Sequence, residues 1–225
     1  MQISKSVLAL FYKEYKLSFK NIYDLLTINL FFILGLFIFV FSVGADEEIL
    51  SKIGIGITWT LLLLSNNLSI NKFFKEDFED GNLFLMYMNG LSFELIVLIK
   101  LICFWIFLQI PFIIFIPIAL LMMGIFDQKI YLILLTFIIG SPVLTCLAAI
   151  SGSMNLLNNK NFAMGSIIIM ILSIPFIIFS VGVITYKPDL LMPQLSILAG
   201  ILFIFLSITP WACGSCIKLA IRNKK

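Results

Sequence analysis

Residues 95–125 read LIVLIKLICFWIFLQIPFIIFIPIALLMMGI, an apolar run of 31 residues whose start is flanked by Glu94 and Lys100. A helix needs about 20 predominantly apolar residues to cross the hydrocarbon core of a membrane. Pro111 and Pro117 lie inside the run. Because proline removes a backbone donor and clashes with the preceding turn, it predicts a kink or break. The stretch predicts a membrane-spanning helix that is irregular near its middle.

Five similar apolar runs accompany this one, at residues 25–43, 53–70, 130–151, 163–184 and 194–215. Of the 225 residues, 61% are hydrophobic and 12% are charged, whereas a soluble domain typically has about 25% charged residues. The fold class that follows is an all-α polytopic membrane protein with six transmembrane helices. Residues 1–225 are predicted to form a single membrane domain, with no room for a separate catalytic domain.

The distribution of basic residues predicts the orientation of the chain. With a cytoplasmic N-terminus, twelve of the fifteen lysines and arginines fall on the inside and only Lys52, Lys129 and Lys187 fall on the outside. Membrane proteins place their basic residues preferentially in cytoplasmic segments, so both termini are predicted to be cytoplasmic. A signal-peptidase site at residues 43–45 is the alternative for the first run. The region of about 24 residues before that run is too long for a signal peptide.

The first 23 residues predict an amphipathic helix that lies on the membrane surface. Apolar side chains recur every four residues from Ile3 to Phe19, and lysines gather on the opposite face. Such a pattern favours binding at an anionic lipid interface. A plain basic anchor for the first span is the alternative. Glu14 and Ser18 interrupt the apolar face, which suggests that something other than lipid contacts it.

Two polar clusters border the second span. At its end, five polar side chains are expected to face neighbouring helices, with a substrate path as the alternative; they are Ser65, Asn66, Asn67, Ser69 and Asn71. Buried polar groups in membranes are satisfied by hydrogen bonds between helices. Before the span, Asp46, Glu47 and Glu48 are interpreted as a solvated turn. The alternative is a helix start, where carboxylates are favoured.

Residues 71–94 form the largest predicted cytoplasmic loop, NKFFKEDFEDGNLFLMYMNGLSFE. Acidic residues precede Gly81, and an apolar stretch then runs to the Asn89–Gly90 break. We predict a short helix capped by Asn82, suited to docking in a groove on another protein. A loop that lies along the membrane is the alternative. The candidate partner-docking residues are Glu76, Asp77, Glu79, Asp80, Gly81, Leu83 and Met86.

The sequence resembles a known family over essentially its whole length. FFKEDFEDGNLFLMYMNGLSFELIVLIK is similar to the first cytoplasmic loop of ABC-2-type permeases, where an acidic cluster and a glycine precede a coupling helix. The resemblance to the haem exporter protein B (CcmB) family is closer. It extends over FYKEYKLSFK near the start, FSVGADEEILSKIGIGITWTLLLLSNNLSINKFF, GSPVLTCLAAISGSMNL and IPFIIFSVGVI, in that order.

This resemblance implies a permease subunit that serves cytochrome c maturation, through haem export or ATP-driven release of a haem-loaded chaperone. The implied partners are an ATP-binding cassette subunit, a haem-handling membrane protein and the haem chaperone, with two copies of permease and ATPase. The implied location is the bacterial inner membrane, or the mitochondrial inner membrane for an organelle-encoded chain. A non-transporting scaffold that assembles maturation components is the alternative function.

Several motifs are absent from the sequence. It has no G-x-x-x-x-G-K-[ST] motif and no histidine, so ATP is expected to bind to a partner subunit. No cofactor or metal ligand set and no catalytic constellation is recognisable, and no basic patch suggests nucleic acid. Cys213-Gly-Ser-Cys216 is interpreted as a site of close helix packing, with a redox pair as the alternative.

Overall fold

The computed structural model describes residues 2–20, 22–44, 46–70, 73–125, 130–157, 162–185 and 191–223. Within these ranges the regular structure is helical, without strands. The α-helices are α1 (Gln2–Lys20), α2 (Ile22–Val43), α3 (Glu47–Ser69), α4 (Lys75–Glu79), α5 (Asn82–Met88), α6 (Phe93–Phe104), α7 (Ile110–Met122), α8 (Ile130–Asn155), α9 (Phe162–Thr185) and α10 (Leu191–Asn223). A π-helical segment, Trp105–Gln109, joins α6 to α7.

Six spans of the described chain are long and apolar enough to cross a membrane, which confirms the predicted fold class. They are α2, α3, the continuous α6–π–α7 unit, α8, α9 and α10. The predicted starts and ends are close except at two places. The second span begins six residues earlier than predicted, and the helix of the sixth continues to Asn223. Ala45 and Asn71, which were part of the predictions, lie outside the described residues.

The early start of the second span comes from the acidic cluster before it. The Asp46 carboxylate accepts hydrogen bonds from the backbone N–H groups of Glu48 and Ile49, and Glu47 and Glu48 occupy the first turn of α3. An Asp at this position satisfies backbone donors that have no partner within the helix, and the acids favour the positive end of the helix dipole. The preferred interpretation of a solvated turn was therefore wrong, and the helix-start alternative is correct.

The irregularity predicted for the third span is a π-helical turn rather than a break. Pro111 has no N–H to donate to the Phe107 carbonyl, and its ring would clash with that carbonyl in a regular α-helix. Widening the preceding turn, Trp105–Gln109, relieves this clash while the span remains continuous. Pro117, Pro142, Pro175 and Pro210 lie inside helices that also continue past them.

Helix α8 lies at the centre of the bundle and contacts α3, α6, the π segment, α7, α9 and α10. Its Phe137 ring stacks on Trp59 of α3 with centroids 4.3 Å apart, and Phe176 of α9 meets the same indole edge-on at 5.1 Å. Gly140 leaves room for this aromatic group, because a Cβ there would collide with Trp59 and Phe176. The apolar core therefore depends on close approach of three helices at one glycine.

Helix α1 packs against the start of the third span through one edge of the predicted apolar face, where Val7 and Glu14 lie. Leu10 and Glu14 are buried, whereas Leu8, Phe11 and Tyr12 are exposed. The exposed apolar side chains remain available to lipid, as an interfacial helix requires. The prediction that Glu14 contacts something other than lipid is confirmed, since its partner is a protein side chain.

The Cys213–Cys216 motif lies where α10 approaches α6. A Cβ at Gly214 would lie 3.4–3.5 Å from atoms of Glu94 and Phe93. Cys213 is fully buried, and all four cysteines are free thiols. The predicted packing of this motif is confirmed for Cys213 and Gly214, whereas Ser215 is exposed. This packing also places the C-terminal half of α10 beside the first turn of α6, at the end of the bundle that holds α4 and α5, which we call the loop end.

Candidate functional site: a docking loop and a buried ion network

The loop that contains the candidate docking residues consists of two short helices, α4 and α5, joined at Gly81. Gly81 has φ +75° and Gly90 has φ +85°, so each adopts the left-handed conformation that glycine tolerates best. Gly81 caps α5, and Asn82 is its first helical residue. The predicted cap at Asn82 was wrong by one position. The left-handed residue Gly81 separates α4 from α5 and takes the N-cap position, so Asn82 is already helical.

One side of this loop faces the bundle. Asp77, Leu83 and Met86 are buried, and the two apolar side chains belong to the same core cluster as Phe74 and Ile96. Tyr87 of α5 stacks on Phe93 of α6 with ring centroids 4.6 Å apart. Three of the seven candidate docking residues therefore hold the loop against the bundle instead of presenting a surface.

The other side of the loop is exposed and combines acids with large apolar groups. Glu76, Glu79 and Asp80 are exposed, and Gly81 is half-buried. The exposed apolar residues of α5, which the candidate list did not contain, are Phe84, Leu85, Tyr87 and Met88. Helical periodicity accounts for this division, since Leu83 and Met86 lie three positions apart on the inner face.

A buried ion network holds the loop to two other parts of the chain. Lys100 of α6 forms ion pairs with Asp77 of α4 and with Glu14 of α1, the latter at 3.1 Å from Nζ to Oε1. Lys13 of α1 donates to Asp77 Oδ1 at 2.8 Å. Glu14, Asp77 and Lys100 are 7%, 5% and 5% exposed. We call these four residues the Lys100 network; its two positive and two negative charges balance.

The electrostatic environment of Asp77 favours its charged form. Burial alone would raise the pKa of this carboxyl, but the charges and hydrogen bonds of Lys100 and Lys13 outweigh burial and lower the pKa below its ordinary value of 3.8. Asp77 is therefore a carboxylate at neutral pH. Removing one member of such a buried set leaves an uncompensated charge and is strongly destabilising.

The sequence contained a signal for this network that the candidate list did not use. The candidate list did not contain Lys100, although an ionisable residue inside a predicted span is itself an indication of a partner and a function. Glu14 interrupts an apolar face, but it lies 86 positions from Lys100. Their pairing comes from tertiary packing of α1 on α6, which periodicity does not reveal.

A second polar group lies deeper in the bundle, at the π segment. Gln109 donates through Nε2 to Asn66 Oδ1 of α3, and the Trp105 indole donates to Ser141 Oγ of α8 at 2.9 Å. Ser65, Asn66 and Ser69 are fully buried, so the prediction that these side chains face the interior of the bundle is confirmed, whereas Asn67 is half-buried. Asn66 bonds to another helix, while Ser65 and Ser69 donate to carbonyls of α3 itself. The two bonds of the π turn attach it to two different helices, and Gln109 Oε1 has no hydrogen-bond partner.

Within the described ranges, no three His, Cys, Asp or Glu side chains are grouped so as to hold a metal ion. The arrangement at the loop end instead offers two physical properties. It has an exposed acidic and apolar surface, and it has a buried ionic connection from that surface to the third span. Both properties suit mechanical contact with another protein.

Comparison with known proteins gives consistent matches. Residues 5–220 match the family described as CcmB protein. A protein named heme exporter protein B from Haemophilus influenzae is 28% identical over 214 residues, which cover 94% of this chain and 96% of that protein. A protein of the same name from Pseudomonas aeruginosa is 27% identical over 211 residues, covering 93% and 95%. One from Bradyrhizobium diazoefficiens is 28% identical over 192 residues, covering 84% and 86%.

Proposed function

The chain belongs to the CcmB family, and from this premise we propose that it is the membrane permease subunit of an ABC-type haem exporter complex that serves cytochrome c maturation. It is a transporter subunit in this proposal and not an enzyme. A separate ATP-binding subunit hydrolyses ATP, and a haem-handling membrane protein and a haem chaperone complete the complex. The cargo is haem itself or the haem-loaded chaperone, and the complex lies in the bacterial inner membrane with two permease copies.

The observation that supports this proposal is the two-sided loop of α4 and α5. Its inner side is attached through Leu83, Met86 and Asp77, so the loop is packed on the bundle. Its outer side presents Glu76, Glu79 and Asp80 next to exposed Phe84, Leu85 and Met88. An apolar helix face with an acidic margin fits a groove with a basic rim. In this proposal, the groove belongs to the separate ATP-binding subunit.

The test is co-purification of the tagged chain from native membranes in mild detergent, followed by an ATPase assay. Wild-type chain is expected to bring down an ATP-hydrolysing subunit. Asp80→Lys is expected to lower the affinity for that subunit by roughly ten- to a hundredfold, or about 1.4–2.8 kcal/mol, because the reversed charge meets the basic rim as a like charge. The chain itself still inserts, since Asp80 is exposed.

The matched control is Glu48→Lys, the same charge reversal on an exposed acid of α3 outside the loop. It is expected to leave partner recovery unchanged. Recovery of haem-handling proteins without any ATPase, in wild type and both variants alike, would contradict the permease proposal. That result would instead support the non-transporting scaffold.

A further inference from the structure

We infer that Lys100 is a positioning residue that joins the docking loop and helix α1 to the third span, so that displacement of the loop is transmitted to the π-helical segment. This inference rests on the proposed function and specifies how the loop acts. Lys100 contacts no nucleotide or cargo in this role. It acts through Asp77 and Glu14, which belong to two other elements.

The first step of the argument is that the three elements move together. Asp77 and Glu14 lie on α4 and α1, and both carboxylates meet one ammonium group on α6. All three side chains are more than nine-tenths buried. Separating buried charges of opposite sign leaves each without a partner in a poorly solvated place. A force on α4 therefore displaces α6 and α1 rather than opening the network.

The second step connects Lys100 to the place where the third span is able to change shape. Helix α6 ends at Phe104, and the π segment follows without interruption. Tyr15 of α1 also meets Phe107 of the π segment, with ring centroids 5.4 Å apart. Helix α1 and the network thus hold the π segment from its N-terminal side. π turns within α-helices are frequent at functional sites, and this one has an unpaired acceptor at Gln109 Oε1.

The third step is that there is space for a displacement. A small cleft of about 70 Å³, open to solvent, lies between α1, α2, α4 and α6 beside the network. Glu14, Asp77 and Lys100 form part of its wall, together with Phe107 of the π segment. On the far side of the π segment, the hydrogen bonds of Trp105 and Gln109 lead to α8 and α3. Movement of α6 towards this cleft therefore alters the hydrogen bonds that join the π segment to α8 and α3.

The experiment uses the double variant Glu14→Gln, Lys100→Gln in the complete complex. It removes one positive and one negative charge, so the buried site stays neutral, and Asp77 keeps Lys13 at 2.8 Å. Partner recovery and ATPase activity are expected to remain near wild type. Matured cytochrome c per ATP hydrolysed is expected to fall roughly tenfold, within the range seen for residues that couple two sites.

The matched control is Glu48→Gln, Lys52→Gln, which removes an exposed Glu–Lys pair within α3, 2.8 Å apart. It is expected to change none of the three quantities. Wild-type output per ATP in the Glu14/Lys100 double variant would overturn the inference and leave the proposed function intact. Loss of the partner from that variant would also overturn it, because the network would then only shape the docking surface. Absence of an ATPase from the wild-type complex would overturn both proposals.

Comparison with the single variant Lys100→Gln distinguishes a role of Lys100 in transmitting loop motion from a role in neutralising the buried carboxylates. It leaves two carboxylates facing one remaining lysine, so reduced accumulation in the membrane is expected. If the role of Lys100 were only structural, restoring neutrality with Glu14→Gln would restore accumulation and output together. The inference predicts that accumulation recovers while output per ATP does not.

Discussion

At the scale of single residues, the ion network shows that the sequence pattern did not predict which charged side chains are buried and paired. The acids of the loop were identified from composition, but the pattern did not separate Asp77, which is buried, from Glu79 and Asp80, which are exposed. All three acids lie within four consecutive residues, in α4 and at its C-cap, Asp80. Which side of a five-residue helix faces the bundle depends on the chain that packs against it, here Lys13 of α1 and Lys100 of α6.

The charge state of Asp77 gives a prediction for the pH dependence of stability. Its pKa in the folded protein lies below 3.8, so its contribution to the free energy of unfolding is fully present above that pH. It is lost as the pH falls through the folded pKa. The difference in thermal midpoint between wild type and Asp77→Asn, measured in detergent, is therefore expected to be constant from about pH 5 to pH 8.

Lys13 and Lys100 pair with Asp77 in the wild type, and Lys100 also pairs with Glu14. The midpoint of Asp77→Asn is expected to be lower than that of wild type throughout, because the variant leaves excess positive charge in the site. A difference that shrinks steadily between pH 7 and pH 5 would show that Asp77 titrates there and would contradict the assignment.

At the scale of elements, the six apolar runs were sufficient to predict all six spans, because hydrophobic length is a direct requirement of the bilayer. Their ends were less predictable, since a cap such as Asp46 extends α3 beyond its apolar part. The irregularity around Pro111 was predicted, but its form was not. A kink, a break and a π turn all remove the same clash, and the hydrogen bonds of Trp105 and Gln109 with other helices accompany the π turn.

The aromatic contact at the centre of the bundle gives a prediction at this scale. Gly140→Ala places a methyl group against Trp59 and Phe176, which are both fully buried. Overpacking of a close-packed core costs about 1–3 kcal/mol, so the thermal midpoint in detergent is expected to fall. Gly200→Ala is the control, because nothing lies within 4 Å of the added methyl group. Alanine favours a helix over glycine by about 0.5–1 kcal/mol, so the thermal midpoint of Gly200→Ala is not expected to fall. An equal fall in the midpoints of both variants would contradict a specific clash at Gly140.

At the scale of the whole molecule, four segments distant in sequence meet at the loop end. Helix α1 and the loop meet there through the Lys100 network, and α10 approaches Glu94 through Gly214. Each span takes the chain from one end of the bundle to the other. Six spans therefore bring the chain back to the side where it started, so α1 and the end of α10 belong on the same side of the membrane. The basic residues of the sequence are concentrated in these same segments, which predicts that the loop end is cytoplasmic.

Orientation is testable by labelling single cysteines with a membrane-impermeant thiol reagent in intact cells. Met88→Cys lies on exposed α5 at the loop end, and Lys52→Cys lies near the start of α3, at the opposite end of that span. Because the loop must meet a nucleotide-binding partner inside the cell, Met88→Cys is expected to react only after the membrane is permeabilised, whereas Lys52→Cys reacts at once. Cys216→Ser in both backgrounds removes the one native thiol that is not buried. The reverse labelling pattern would place the loop outside, where no ATPase has access to ATP, and both the orientation and the coupling role of the loop would then be wrong.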